Sequence, residues 1–197
     1  MPTAIVTDST SDIPQNILKS YNIFQIPVDL MLENKTYLDG FDLSRYDFYN
    51  KLPTLKQLPS TAAPSSGRFH TQYQEIFQEG FNEIISIHAA SNLSGIYNAA
   101  RLASEDFQQR IEVVDSQQLS LGLGFQVIQA ANDVQHGISP DKILENIQSI
   151  KNKIHVYALL DTFEYIQRSG RVSWAKAQLG SFLNIKPLIA LNKGTYQ

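Results

Sequence analysis

Two hydroxyl side chains stand where a polypeptide most readily holds an anion. Ser94 lies in the stretch from Ile84 to Ala100, in which Ile84 to Ile87 is a short apolar run of buried-strand type. Small and polar residues follow, and Ser94 directly precedes a helical pattern at Ile96, Tyr97, Ala99 and Ala100. A strand that turns straight into a helix leaves the first N–H groups of that helix free. Those groups, with the positive end of the helix dipole, attract a carboxylate or a phosphate. Ser94 adds a hydroxyl, and Gly95 has no side chain to hold a ligand off the backbone. The competing reading is that Ser94 only caps its helix. Thr61 repeats the arrangement as a hydroxyl on a loop ahead of a helix, and two such loops converging suit an anion better than one.

Other chemistries have weaker support. A hydrolase would use Ser94 as nucleophile and His88 or His70 as base, but Asn92-Leu93-Ser94-Gly95-Ile96 lacks the Gly-x-Ser-x-Gly elbow. A histidine at a strand end, as His88 is, is more often packed or hydrogen-bonded than catalytic. Asp8 and Asp12 are two carboxylates without further ligands, so turn and cap duty is preferred to metal binding. Gly122 and Gly124 lack the third glycine of a dinucleotide fingerprint and are better explained by close packing of a helix. With no Walker motif, no Gly-rich loop carrying lysine and no acidic cluster, neither a cofactor nor a metal is expected.

Composition narrows the field further. An apolar content of 43% over 197 residues is enough for a sizeable core. The net charge of −3 offers no general attraction to nucleic acid or anionic membranes. The absence of cysteine excludes disulfides, thiolate metal sites and cysteine catalysis. The N-terminal residues lack the regions of a signal peptide, and no apolar run approaches the ~18 residues of a membrane span. A cytoplasmic protein without membrane insertion is expected.

The elements that must position these residues follow in order. Thr3 to Thr7 reads as a strand, then a polar loop from Asp8 to Asp12, then a helix opened by Pro14 and reaching about Tyr21. Phe24 to Val28 is a second strand, and Leu30 to Leu38 a β-hairpin with Asn34-Lys35 near its turn. A short helix from Ser44 to Lys51 brings Tyr46, Phe48 and Tyr49, read as core or as the wall of an apolar pocket. Leu58 to Gly67 is too rich in breakers to be regular. A helix from about Ser65 to Gln78 sets Phe69, Tyr73, Ile76 and Phe77 on one face. Beyond the central strand and helix, Ile111 to Val114 is a strand that ends in Asp115-Ser116-Gln117-Gln118. Leu119 to His136 is a buried helix, Ser139-Pro140-Asp141 caps a helix to Lys151, and Val156 to Leu160 closes the series. This alternation predicts an α/β fold over residues 1–160, a mostly parallel sheet covered by helices. The loops near Ser9, Ser91 and Asp115 gather along one edge of it, where such sheets bind ligands.

After Asp161 the texture changes. Phe163 to Arg168 reads as a helix start, Trp174 to Leu183 as helical and Lys186 to Leu191 as a strand, followed by a turn at Asn192-Lys193-Gly194. A strand entering a hairpin without a return partner reads as unfinished. Residues 161–197 therefore read as cut short.

Seven groups of residues together resemble the DegV family. They are Thr7-Asp8-Ser9-Thr10 with Asp12 and Pro14; Leu58-Pro59-Ser60-Thr61 with Pro64; Ile85-Ser86-Ile87-His88; Leu93-Ser94-Gly95 with Tyr97; Asp115-Ser116; Arg168-Ser169-Gly170-Arg171-Val172-Ser173; and Ile185-Lys186-Pro187. The resemblance implies a two-domain, non-catalytic carrier of a long-chain fatty acid, with an α/β first domain over residues 1–160, the beginning of a smaller α+β second domain over residues 161–197, and the acid in a tunnel between the domains. It also implies that Thr61 and Ser94 hold the carboxylate. Ala62, Ala63 and Ile96 depart from the family's usual Ser, Gln and Thr, which leaves the backbone N–H groups of Ala62 and Gly95 to serve beside the hydroxyls. Where a fatty-acid kinase is present, the resemblance implies presentation of the acid for phosphorylation to an acyl-phosphate. The Arg168-Ser169-Gly170-Arg171 segment then reads either as a surface for such a partner or as helix-end charges and a turn. The alternative to the carrier is a serine-dependent hydrolase acting on an acyl ester.

Overall fold

The computed structural model describes residues 2–162, 164–171 and 186–197. The first half holds β1 (Thr3–Asp8), α1 (Gln15–Ser20), β2 (Ile23–Ile26), β3 (Asp29–Leu32), β4 (Lys35–Leu38), α2 (Arg45–Lys51) and β5 (Ser60–Ala62). It continues with α3 (Ser66–Gln78), β6 (Glu83–His88), α4 (Ile96–Ser104), β7 (Arg110–Asp115), α5 (Leu121–Gln135) and α6 (Pro140–Lys151). The remaining described elements are β8 (Val156–Leu159), α7 (Glu164–Ser169), β9 (Leu188–Asn192) and β10 (Thr195–Tyr196).

Four strands pair in parallel in the order β2-β1-β6-β7, with Ile5 opposite Ile85 and Val6 opposite Ser86. All six residues of β1 are buried, as expected where a parallel sheet is covered on both faces. Helices α3 and α4 pack on each other, α4 lies on β6 and β7, and α5 lies on β1 and β6 while carrying α6. The core joins Ile5, Val6, Ile84, Ile85 and Ile87 to Phe69, Tyr73, Leu123, Val127 and Ile143. The α/β expectation holds. Gly124 explains how closely α5 sits: a Cβ there would lie 2.6 Å from the Ser11 carbonyl oxygen. That is the close packing expected of the glycine pair.

Three expectations are corrected. First, Val156–Leu159 does not end the parallel series; it pairs antiparallel with β9 in a separate sheet, β10-β9-β8, so that sheet takes strands from either side of residue 160. A short apolar run carries no information about its partner, and three of the four β8 residues are exposed, unlike those of a central parallel strand. Second, the hairpin after β9 does have a return strand, Thr195–Tyr196, opposite Asn192 and Leu191. Third, the breaker-rich segment from Leu58 contains β5, which pairs antiparallel with β3, Leu30 opposite Thr61. Its flanking prolines lie outside the paired residues, at the edge of the sheet, where proline is tolerated.

The sheet β4-β3-β5 and α2 share a small core of Leu30, Leu32 and Leu43, with Phe48 packed against it. Of the three aromatics on α2, Phe48 packs on this small core, Tyr49 is exposed but meets the Phe48 ring edge-on, and Tyr46 is exposed. This unit is tied down by Arg68 of α3, which donates to the Pro27 carbonyl and to the Asp29 carboxylate, each at 3.0 Å. The helix expected from Trp174 to Leu183 lies outside the described residues.

Candidate functional site

Ser94 precedes α4 at the carboxyl end of β6, and Thr61 is the middle residue of β5. The pairing of β5 with β3 and the anchoring of β3 to α3 bring both residues to one cavity of about 330 Å³. Its wall is mainly apolar, from Val28, Ala62, Ala63, Leu93, Ile96 and Leu119, with Thr10, Thr61 and Ser94 supplying hydroxyls. Tyr165, Ile166, Ser169, Arg171 and Tyr196 complete it from the later part of the chain. Of the four residues singled out by sequence, Thr61, Ser94 and Ala62 meet here. Gly95 is not in the wall; it is the exposed N-cap residue of α4, beside Ala63.

The competing roles of Ser94 resolve geometrically. Its Oγ accepts from the Ile96 N–H at 3.4 Å, longer than a good hydrogen bond, so capping is weak. Among the described residues neither Ser94 Oγ nor Thr61 Oγ1 donates to a protein acceptor, which leaves both hydroxyl protons for a ligand. A second cavity of about 600 Å³ shares Thr10, Val28, Thr61 and Leu119 with the first. Leu30, Phe48, Tyr49 and Leu121 extend its apolar wall, and Asp12, Asp39 and Arg45 add charge. Arg45 crosses from α2 to the β1 loop, donating to the Ser9 carbonyl at 3.0 Å and pairing with Asp12 at 2.6 Å.

Behind this wall lies a fully buried polar chain. Tyr73 Oη donates to Ser86 Oγ at 2.8 Å, and Ser86 Oγ lies 2.7 Å from His88 Nε2. His88 Nδ1 is 2.9 Å from Asp8 Oδ2, which also accepts from the Ala89 N–H at 3.2 Å. Asp8 Oδ1 accepts from the Thr10 N–H at 3.0 Å and from the Thr10 hydroxyl. With the histidine proton on Nδ1, every donor in the chain points toward Asp8. Burial pushes the Tyr73 phenol well above its usual range, partly offset by the bond to Ser86. His88 is therefore a hydrogen-bonded core histidine with both ring nitrogens engaged, and His70 lies against Phe107 in a tilted ring contact with centroids 4.8 Å apart.

Sequence reasoning did not reach Thr10 or Arg171 as wall residues. Arg171 donates from Nε to the Leu93 carbonyl at 2.9 Å, directly beside Ser94, so one end of the basic segment faces the cavity. The Asp8 loop at a strand's carboxyl end was the available signal for Thr10; nothing local signals Arg171. Among the described residues no cluster of histidine and acidic side chains is arranged to hold a metal ion, and no helix is long and apolar enough to cross a membrane.

Fold and site together define an α/β protein with an apolar, hydroxyl-bearing cavity at the carboxyl edge of a parallel sheet. The chain belongs to the DegV family, whose model, described as an uncharacterised protein family, matches residues 2–197. A DegV domain-containing protein of Deinococcus radiodurans is 35% identical over 194 residues, covering 98% of this chain and 69% of that one. A DegV family protein from Thermus thermophilus, whose structure is described for its fatty acid binding, superimposes with a TM-score of 0.90 at 31% identity, covering 100% of this chain and 70% of that one. DegV from Bacillus subtilis, described as a fatty acid binding protein, gives a TM-score of 0.89 at 30% identity over the same shares of the two chains.

Proposed function

We propose that this chain binds a long-chain fatty acid without transforming it. The carboxylate lies against Thr61 and Ser94, and the tail runs along the apolar walls of the two adjoining cavities. The observation that carries this reading is the meeting of two uncommitted hydroxyls on a mainly apolar cavity. Hydroxyls and amides are sufficient donors for a carboxylate, and the N–H group of Ala62, a residue of the cavity wall, joins them in this reading. The tail contributes about 0.8 kcal/mol per buried CH₂. Residues 1–160 hold the ligand here, and residues 161–197 add wall through Tyr165, Arg171 and Tyr196. The fatty-acid binding described for the Thermus and Bacillus relatives supports the reading. His88 Nε2 is held by the buried Ser86 and not by Ser94, which speaks against His88 as the base of a hydrolase that uses Ser94. Presentation of the bound acid to a fatty-acid kinase is the cellular role we attach to this reading.

Native mass spectrometry of the purified protein, with organic extraction of bound material, tests it. We expect added mass equal to a long-chain fatty acid, lost in the Thr61→Ala/Ser94→Ala double variant. Each single variant should weaken binding about tenfold, the worth of one hydrogen bond to a charged group. An empty wild-type protein that also refuses added fatty acid would end the proposal.

A further inference from the structure

The direction of the buried polar chain fixes the proton on Thr10. Tyr73, Ser86, His88 and Asp8 are all buried, and each hydroxyl has a single proton to give. Tyr73 donates to Ser86, Ser86 to His88 Nε2, and His88 Nδ1 then donates to Asp8 Oδ2. The Ala89 and Thr10 N–H groups donate to the same carboxylate, at 3.2 and 3.0 Å. A carboxylate among these donors acts only as an acceptor, so the contact between the Thr10 hydroxyl and Asp8 Oδ1 runs from Thr10 to Asp8. Among the described residues no donor reaches Thr10 Oγ1 in return, which leaves both of its lone pairs open.

Thr10 is thereby the opposite of Thr61 and Ser94. Those two hydroxyls keep uncommitted protons and suit a carboxylate, whereas Thr10 can only accept and so disfavours one. Thr10 stands in the walls of both large cavities, in the company of Val28, Thr61 and Leu119. A ligand anchored at Thr61 and Ser94 that continues into the second cavity therefore passes Thr10 with its chain and not with its head group.

The second cavity adds a further open acceptor. Asp39 in its wall receives no hydrogen bond on its carboxylate among the described residues, because the Arg45 guanidinium is turned to Asp12 and to the Ser9 carbonyl. A plain alkyl chain laid along this path takes water from the acceptors and returns no hydrogen bond, which is unfavourable. A chain that bears a hydroxyl supplies the missing donor.

On the fatty-acid reading above, on which this step rests, we propose that the preferred ligand is a long-chain fatty acid with a hydroxyl on its chain, donated to Thr10 Oγ1. The test mixes the full chain with stearate and one of 2-, 3-, 10-, 12- or 18-hydroxystearate in equal excess. Native mass spectrometry reads the two complexes, which differ by one oxygen, in the same spectrum. At least one hydroxystearate should outcompete stearate about fivefold, the worth of one neutral hydrogen bond. The ratio should fall to about one in Thr10→Val, which lacks the acceptor, and be kept in Thr10→Ser, which retains both the oxygen and the proton for Asp8. Stearate taken up with no hydroxystearate preferred, or an undiminished preference in folded Thr10→Val, would overturn this proposal and leave the fatty-acid reading standing. Refusal of every acid by the wild type would overturn both. The wild-type ratio decides by itself if Thr10→Val does not fold.

Discussion

The Asp8 carboxylate reaches both loops of the main cavity from one buried position. Through Oδ1 it fixes Thr10, and through Oδ2 it holds His88 and the Ala89 N–H, just ahead of the turn that delivers Ser94. Asp8→Asn puts an NH₂ group against one of these donor sets. We expect a loss of about 3 kcal/mol, since a buried network deprived of one charged partner leaves the others unsatisfied. Urea unfolding would measure it, and a change under about 0.5 kcal/mol, the range of ordinary surface substitutions, would show that the four donors do not depend on the charge. Thr61 and Ser94 were legible in the sequence because a hydroxyl ahead of a helix is a local pattern. Asp8 was legible only as a turn residue, because its partners lie 80 and 81 positions away and are brought beside it by the β1–β6 register. Ser86 and Tyr73 carried no signal as polar partners: one sits in an apolar strand and the other on the apolar face of a helix.

At the level of elements, the strand–helix alternation was readable through Lys151 because each helix has an apolar face and each central strand an apolar run. Pairing partners were not readable where strands are short, which is why β5 and β8 were misplaced. Gly124 shows how an element's position reaches the site. Alanine is worth about 1 kcal/mol over glycine within a helix, so propensity alone predicts that Gly124→Ala stabilises α5. The added Cβ, however, would meet the Ser11 carbonyl at 2.6 Å, a rigid backbone atom, and overpacking of this kind costs about 1–3 kcal/mol. The clash should win. We expect a lower melting temperature, with weaker fatty-acid binding because the turn from Ser9 to Ser11 carries Thr10 into the cavity wall. A higher melting temperature would mean that α5 can slide away from the β1 loop at little cost.

Across the whole molecule, the buried chain couples stability to pH at the alkaline end. The Tyr73 phenol has a folded-state pKa raised above its ordinary value of 10.0, chiefly by burial. Its contribution is fully present below pH 10 and is lost as the pH climbs toward the folded value, because the unfolded chain releases the proton first. The half-buried Tyr196 phenol is raised by the same cause and acts in the same direction. Lys151 acts oppositely: burial lowers its pKa below 10.5, so folding stability gains as the pH rises toward that value. The lysine therefore masks part of the tyrosine effect just below pH 10.5, and total stability alone does not isolate Tyr73. Tyr73→Phe does isolate it, keeping the ring packed while removing the titrating group. Between pH 10 and 11 the wild type should lose up to about 1.4 kcal/mol more than Tyr73→Phe, the worth of one pH unit for one proton. Guanidinium unfolding at several alkaline pH values would measure the difference. Parallel curves would mean that the phenol reaches solvent in the folded protein, and that the chain from Tyr73 to Asp8 opens without unfolding.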